Sequence, residues 1–307
     1  MLLKVANSST HRAAICIQAA WRTRMVRRHM AVTAMCPGII LVRFDDASNE
    51  WLASAGFTLG GQSGVCAKHT FSYASVDQRR HIVGLGAYDG LVEPVDVMHG
   101  DKTTVALING GFYNMAGRAD ATAAYHATIG ASRTAACSMP SLHIPEAYKN
   151  DYVYIELEDG SSMFAAPQLG KNGNPMFMED RLNNPAYRVP ADFDFADSFI
   201  APGTLRHAAD RNPRSAVSLP SEPGRGRARL VVGLAKARGA DQGYSLVEWS
   251  RLVARIDRLA SPANASFNLD GGFSASLVVR DKNHLPVVTA QATRGRPVAN
   301  VIKVSMR

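Results

Sequence analysis

Nowhere does this 307-residue chain hold about 18 consecutive apolar side chains, the length a bilayer-crossing helix needs, so no transmembrane segment is expected. Cysteine is scarce. Cys16, Cys36, Cys66 and Cys137 lie far apart without a C-x-x-C pair, which excludes a zinc ribbon, a thioredoxin-like motif and a disulfide scaffold. Only Cys66 and Cys137 could pair in an oxidising compartment, and two buried free thiols are the expectation. Catalytic signatures are missing as well: no G-x-x-x-x-G-K-[ST] phosphate loop, no H-E-x-x-H and no G-x-S-x-G elbow. The run from Gly84 to Gly90 has three residues where a dinucleotide fingerprint needs two. The nine histidines show no metal-ligand spacing, so no metal or cofactor is expected. What remains, 46% hydrophobic and 20% charged, is ordinary for a folded globular chain and excludes wholesale disorder.

Acidic residues are absent from the first thirty positions, which hold Lys4, Arg12, Arg22, Arg24, Arg27 and Arg28. The whole chain has 34 basic and 26 acidic residues, so the remainder is nearly neutral, at 28 against 26. The basic character belongs to an N-terminal arm. A nucleic-acid-binding body would need a basic face that this distribution does not supply, so no nucleic-acid partner is expected.

Ala14, Ile17, Trp21 and Met25 recur at helical spacing and predict a basic amphipathic helix over about residues 11–30. Ile17 and Gln18, followed by Arg22 and Arg27, resemble the IQ motif, whose helices are gripped by calmodulin and related light chains. Such a helix suits an acidic, methionine-lined groove. Thr23 stands where that motif usually has Gly, and Arg24 and Arg28 intrude on the stripe. The same region gives no clean export signal, because four arginines follow the apolar run where a small-residue cleavage site should lie. The chain therefore divides into a helical arm, residues 1–36, and one large domain, residues 37–307.

From residue 38 the pattern is α+β: a mixed β-sheet core with flanking helices and long loops. Strand-like runs fall at 39–44, 81–85, 104–108, 152–157, 230–234, 277–280 and 298–304, separated by Gly, Pro, Asn and Asp. Ser245 and Glu248 form a capping box, and Leu246, Trp249, Val253 and Ile256 continue it as a helix. Residues 166–225, rich in Pro, Asn and Gly, read as loops over the sheet.

Four segments share one design, a hydrophobic strand that begins or ends abruptly in small and polar residues. They are Ile108-Asn109-Gly110-Gly111-Phe112-Tyr113, Pro213-Arg214-Ser215-Ala216-Val217, Asn268-Leu269-Asp270-Gly271-Gly272-Phe273-Ser274 and Arg296-Pro297-Val298-Ala299-Asn300. Paired glycines permit positive φ and close backbone approach, leaving amide N–H groups to face a ligand. The four segments, in this order and with the capped helix before the Asp270 turn, resemble the phosphodiester glycosidase family, typified by the lysosomal uncovering enzyme and by bacterial exopolysaccharide-associated proteins. The resemblance spans about residues 65–305. It implies hydrolysis of a sugar-1-phosphodiester on a glycan or glycoconjugate, in a lumenal or extracellular setting. Two departures stand out: Phe273 replaces a frequent third glycine, and Ser215 a frequent threonine.

Cleaving a sugar–phosphate bond at the anomeric carbon passes through an oxocarbenium-like transition state, which needs a carboxylate. Asp270 is the candidate. Arg214 offers a fork of donors for the phosphodiester, and Asn109 completes the catalytic set. Asn268, Ser274 and Asn300, with the amides of Gly110, Gly111, Gly271 and Gly272, are candidate substrate contacts. A second carboxylate could be Asp89, Asp96 or Asp210. The alternative function is a glycan-binding module of the same fold without turnover, which Phe273 favours.

Overall fold

The computed structural model describes residues 30–47, 68–113, 128–130, 132–135, 138, 141–142, 144, 149–185, 207–237, 240–260, 264–292 and 295–307. In chain order the strands begin with β1 (Met30–Ala34), β2 (Ile39–Ala47), β3 (Lys68–Asp77) and β4 (His81–Val92). Helix α1 (Pro94–Gly100) and β5 (Thr104–Asn109) follow, then the short β6 (Thr128–Ile129), β7 (Ser132–Arg133) and β8 (Ser141–Leu142). After β9 (Tyr152–Glu156), β10 (Met163–Lys171) and β11 (Asn174–Pro175) comes the single turn α2 (Glu179–Leu182). Then come β12 (Arg214–Pro220), β13 (Arg227–Ala237), β14 (Ala240–Gln242) and α3 (Leu246–Ala260). The chain closes with β15 (Asn264–Asn268), β16 (Ser276–Arg280), β17 (Pro286–Gln291) and β18 (Val298–Met306).

Among the described residues these strands build two antiparallel sheets and a small parallel pair, β6 with β8. The larger has the order β1-β2-β3-β13-β12-β15-β10-β11, with β14 beside β13 and β7 and β9 beside β10. The smaller runs β17-β16-β5-β18-β4. Both faces of the large sheet are covered, so residues on both sides of its central strands are buried, small serines among the apolar side chains. In β13, Leu230 and Val232 point into a core shared with Ile108, Leu277, Val279, Ile302 and Val304 of the small sheet. Val231, between them, points the other way with Tyr73 and Ala216, against Trp249, Val253 and Ile256 of α3. The result is three layers: helix, large sheet, small sheet. Helix α3 is held at its start by the predicted capping box, Ser245 N–H donating to Glu248 Oε2 (2.9 Å) and Glu248 N–H to Ser245 Oγ (3.3 Å). A fully buried ion pair, Arg229 Nη1 to Asp257 Oδ1 at 2.7 Å, joins its last turns to β13.

The architecture is richer in β-structure than the α+β expectation, with α3 the one long helix among the described residues. β3 escapes a hydrophobicity pattern because Ser72, Ala74 and Ser75 alternate with Phe71, Tyr73 and Val76, yet every one of them is buried. β10 lies partly inside the stretch read as loop. Its Pro167 and Gly170 mimic a turn, and while β9 pairs with it from just upstream, its other long partner β15 is remote in sequence. Residues 30–36, assigned to the arm, are β1 and the turn into β2, with Met30 opposite Phe44 and Ala34 opposite Ile40. Cys36 is a buried free thiol whose pKa burial pushes up to about 11, while the other three cysteines lie outside the described residues.

Candidate active site

Where β5 and β16 of the small sheet meet β12 and β15 of the large one, a web of side chains stitches the four motifs together. Asn109, at the end of β5, is fully buried. Its Nδ2 donates to the Asp270 carbonyl at 2.7 Å, and its Oδ1 accepts from Ser215 Oγ (2.8 Å) and Ser276 N–H (3.1 Å). Asp270 N–H donates to the Gly110 carbonyl at 3.0 Å. Asn300, on β18, accepts Gly111 N–H through Oδ1 at 2.8 Å and donates from Nδ2 to Ser132 Oγ at 3.2 Å. Its carbonyl takes Gly110 N–H at 2.9 Å. The backbone of Asp270 is therefore held on both sides by the Asn109-Gly110 turn.

The glycines serve close approach. A Cβ on Gly110 would overlap the Asn300 side-chain oxygen, and one on Gly271 would lie 2.5 Å from the Pro213 carbonyl. Among the four turn glycines only Gly272 has positive φ, at 57°. Their amides do not wait for a ligand. Gly110 and Gly111 donate to Asn300, Gly272 to the Pro213 carbonyl, and Gly271 to Asp270 Oδ1 at 2.9 Å.

The carboxylate of Asp270 is nearly buried, and burial raises its pKa above the ordinary carboxylate value. Arg296, Ser274 and the Gly271 N–H oppose that rise. Arg296 Nη2 stands 3.3 Å from Asp270 Oδ2, and Arg296 Nε donates to Ser274 Oγ at 2.8 Å. The guanidinium carbon lies 5.5 Å from the centre of the Tyr113 ring. Tyr113 in turn donates its hydroxyl to the Pro297 carbonyl at 2.6 Å, and burial with the Asp270 charge pushes its pKa up to about 12.

With this geometry in view, the family model for phosphodiester glycosidases matches residues 102–305. The chain belongs to that family. Among solved structures, a hypothetical protein from Synechocystis superposes with a TM-score of 0.53 at 11% identity, covering 91% of this chain and 64% of its own. This chain thus spans just under two thirds of that protein. The catalytic domain of zebrafish N-acetylglucosamine-1-phosphodiester alpha-N-acetylglucosaminidase, auto-inhibited by its pro-peptide, superposes with a TM-score of 0.50 at 15% identity, over 94% of this chain and 93% of its own. At such identities the likeness is one of fold. No curated protein matches the chain.

Several residues that the phosphodiester glycosidase resemblance puts in contact with substrate make hydrogen bonds within the protein. Arg214 is buried. Its Nε donates to the Tyr244 carbonyl (2.9 Å) and its Nη2 to those of His207 (2.7 Å) and Asp210 (2.9 Å). Those bonds take up Nε and Nη2 of the fork expected for phosphate, because three loop carbonyls converge there and need a donor, and leave Nη1 without a hydrogen bond among the described residues. Burial lowers its pKa to about 10. Asn109 and Asn300 are likewise engaged within the protein, and Ser274 is buried against Arg296 and Asp270. Asn268 is fully buried with neither amide atom hydrogen-bonded. Of the candidate second carboxylates, Asp96 sits in the first turn of α1 and Asp210 pairs with His207 at 2.6 Å, while the side chain of Asp89 lies outside the described ones. Arg296 and Tyr113 are the site members that sequence reasoning did not single out, although both stand inside the quoted motifs. The IQ-like positions Ile17, Gln18, Arg22 and Arg27 lie outside the described residues, and the family match starts well after them.

Arg214→Gln is expected to lower unfolding stability by about 3 kcal/mol, since one buried and two part-buried carbonyls lose a charged donor. Urea denaturation followed by fluorescence checks this. An unchanged midpoint would show that the three bonds contribute nothing.

Proposed function

We propose that the chain hydrolyses a sugar-1-phosphodiester, with Asp270 as the carboxylate that faces the anomeric carbon. The observation carrying this reading is that the four motif segments, distant in sequence, meet around one nearly buried carboxylate with an arginine beside it. In the reaction the bond between C1 and the phosphate oxygen breaks and its electron pair stays on that oxygen. The oxygen of a water then bonds to C1 and releases a proton. The products are the free sugar and a phosphate monoester. A phosphate monoester leaves without being protonated first, so this chemistry leans less on a general acid than alkyl glycoside hydrolysis does. One carboxylate stabilising the oxocarbenium-like centre suits that demand. Asn109 and the Gly110 carbonyl act on the backbone of Asp270 and fix where its carboxylate stands.

The name of the zebrafish relative suggests the first probe, a methyl diester of N-acetylglucosamine 1-phosphate. Purified full-length chain should release sugar from this diester, or from its counterparts in a small panel of hexoses, and leave the methyl glycosides intact. A second reading, glycan binding without turnover, is favoured by Phe273, which is 44% exposed on the turn that follows Asp270. Saturable binding of the diesters with no sugar released would decide for that reading. A calmodulin-like partner has no support in the comparisons and is not proposed.

A further inference from the structure

Resting on this reading of Asp270, we propose that Arg296 is the residue that recognises the phosphate of the substrate. An anionic diester cannot settle beside an ionised, nearly buried carboxylate unless a cation offsets their repulsion. Two arginines come from the motifs. Arg214 already donates from Nε and Nη2 to three main-chain carbonyls and is 3% exposed. The side chain of Arg296 is 30% exposed. Its Nε is anchored on Ser274 Oγ, one Nη2 hydrogen faces Asp270 at the long distance of 3.3 Å, and Nη1 makes no hydrogen bond among the described residues. Arg214 keeps only Nη1, on a side chain closed off from solvent, whereas Arg296 keeps Nη1 and part of Nη2 on the one cation that touches the carboxylate.

Arg296 is also held in place before any ligand arrives. Its own N–H donates to the Phe273 carbonyl at 3.2 Å, and its guanidinium lies over the Tyr113 ring. That ring is fixed through its hydroxyl to Pro297, the next residue along. An arginine fixed at backbone, Nε and π-face loses little side-chain freedom on binding an oxyanion. Tyr113 is a positioning residue, acting through Arg296. A phosphate oxygen on Nη1 or Nη2 stands beside Asp270, which puts the C1–O bond of a sugar phosphate within reach of that carboxylate. As the bond breaks, negative charge gathers on the phosphate, so the same contact strengthens in the transition state.

The test uses full-length chain with Arg296→Gln, Arg296→Lys and Tyr113→Leu, and three probes: inorganic phosphate, the methyl diester of N-acetylglucosamine 1-phosphate, and the 4-nitrophenyl glycoside of the same sugar. Inorganic phosphate, followed by calorimetry and 31P NMR, should bind the wild type and lose at least about tenfold in affinity in Arg296→Gln. On the diester, Arg296→Gln should lower kcat/KM by about 10²–10³, with the aryl glycoside changed less than about fivefold. Arg296→Lys should recover phosphate affinity in part, because it restores charge without the planar fork, and Tyr113→Leu should fall between the wild type and Arg296→Gln. Equal losses on both substrates, or unchanged phosphate affinity in Arg296→Gln, would overturn the proposal, the first by showing that Arg296 acts only through Asp270. If the wild type turns over neither substrate, the enzyme reading fails, and the phosphate titrations still decide the role of Arg296. Should Arg296→Gln not fold, loss of phosphate affinity in Arg296→Lys and Tyr113→Leu supports the proposal, and wild-type affinity in both overturns it.

Discussion

Asp270→Asn is expected to reduce hydrolysis of the sugar-1-phosphodiester by about a thousandfold or more while leaving the melting temperature unchanged or raised. The first half follows from removing the charge that faces the anomeric centre. The second follows from linkage. Burial raises the pKa of Asp270 in the folded chain above its unfolded value, so the folded state holds the proton more tightly. Stability from this group is fully present below the unfolded carboxylate pKa and is lost as pH rises through the folded one. At neutral pH the folded chain thus carries an ionised carboxylate that burial disfavours, and Asn removes that penalty while its Oδ1 can still accept the Gly271 N–H. The same shift sets the pH profile. Activity that needs ionised Asp270 should begin above the ordinary carboxylate range. Calorimetric melting at pH 4 and pH 7, beside turnover at both, separates the two effects. Full activity in Asp270→Asn would mean that another carboxylate does the work.

The second large effect belongs to Asn109, and it is an effect on stability. Asn109→Ala leaves the Asp270 carbonyl, the Ser215 hydroxyl and the Ser276 N–H without their shared partner in a fully buried place. At about 1–2 kcal/mol each, the loss is about 3–6 kcal/mol, a large part of the 5–15 kcal/mol that holds a typical domain together. The urea midpoint should drop sharply, and activity per folded molecule should drop too, because the Asp270 backbone is released. A raised KM with an unchanged midpoint would instead return Asn109 to the role of ligand contact.

Chain position alone made the four motifs legible, because a hydrophobic run that stops at Asn-Gly-Gly or Asp-Gly-Gly marks a strand end whatever surrounds it. The capped helix was legible for the same reason: Ser245 and Glu248 interact within a single turn. Local chemistry of this kind is written along the chain. Strands such as β3 and β10 are not legible, since small polar residues, Pro167 and Gly170 sit on them, and the ladders to β13 and β15, far away in sequence, complete their pairing.

The site divides along the same line. Asp270 could be chosen from sequence because the transition state demands a carboxylate and the turn around it is local. Which arginine would stand beside it was a tertiary decision. In sequence Arg214 and Arg296 look equivalent, each followed or preceded by proline at the start of a strand. Folding brings three loop carbonyls to Arg214, engages its Nε and Nη2 and buries it, while Arg296 is laid across Tyr113, part-exposed, with Nη2 toward the carboxylate. Glycine amides that looked free in sequence found partners in Asn300, Pro213 and Asp270. A sequence names the donors and acceptors it carries; only the packed chain determines which of them remain unpaired, because a buried polar group takes the nearest partner that the fold provides.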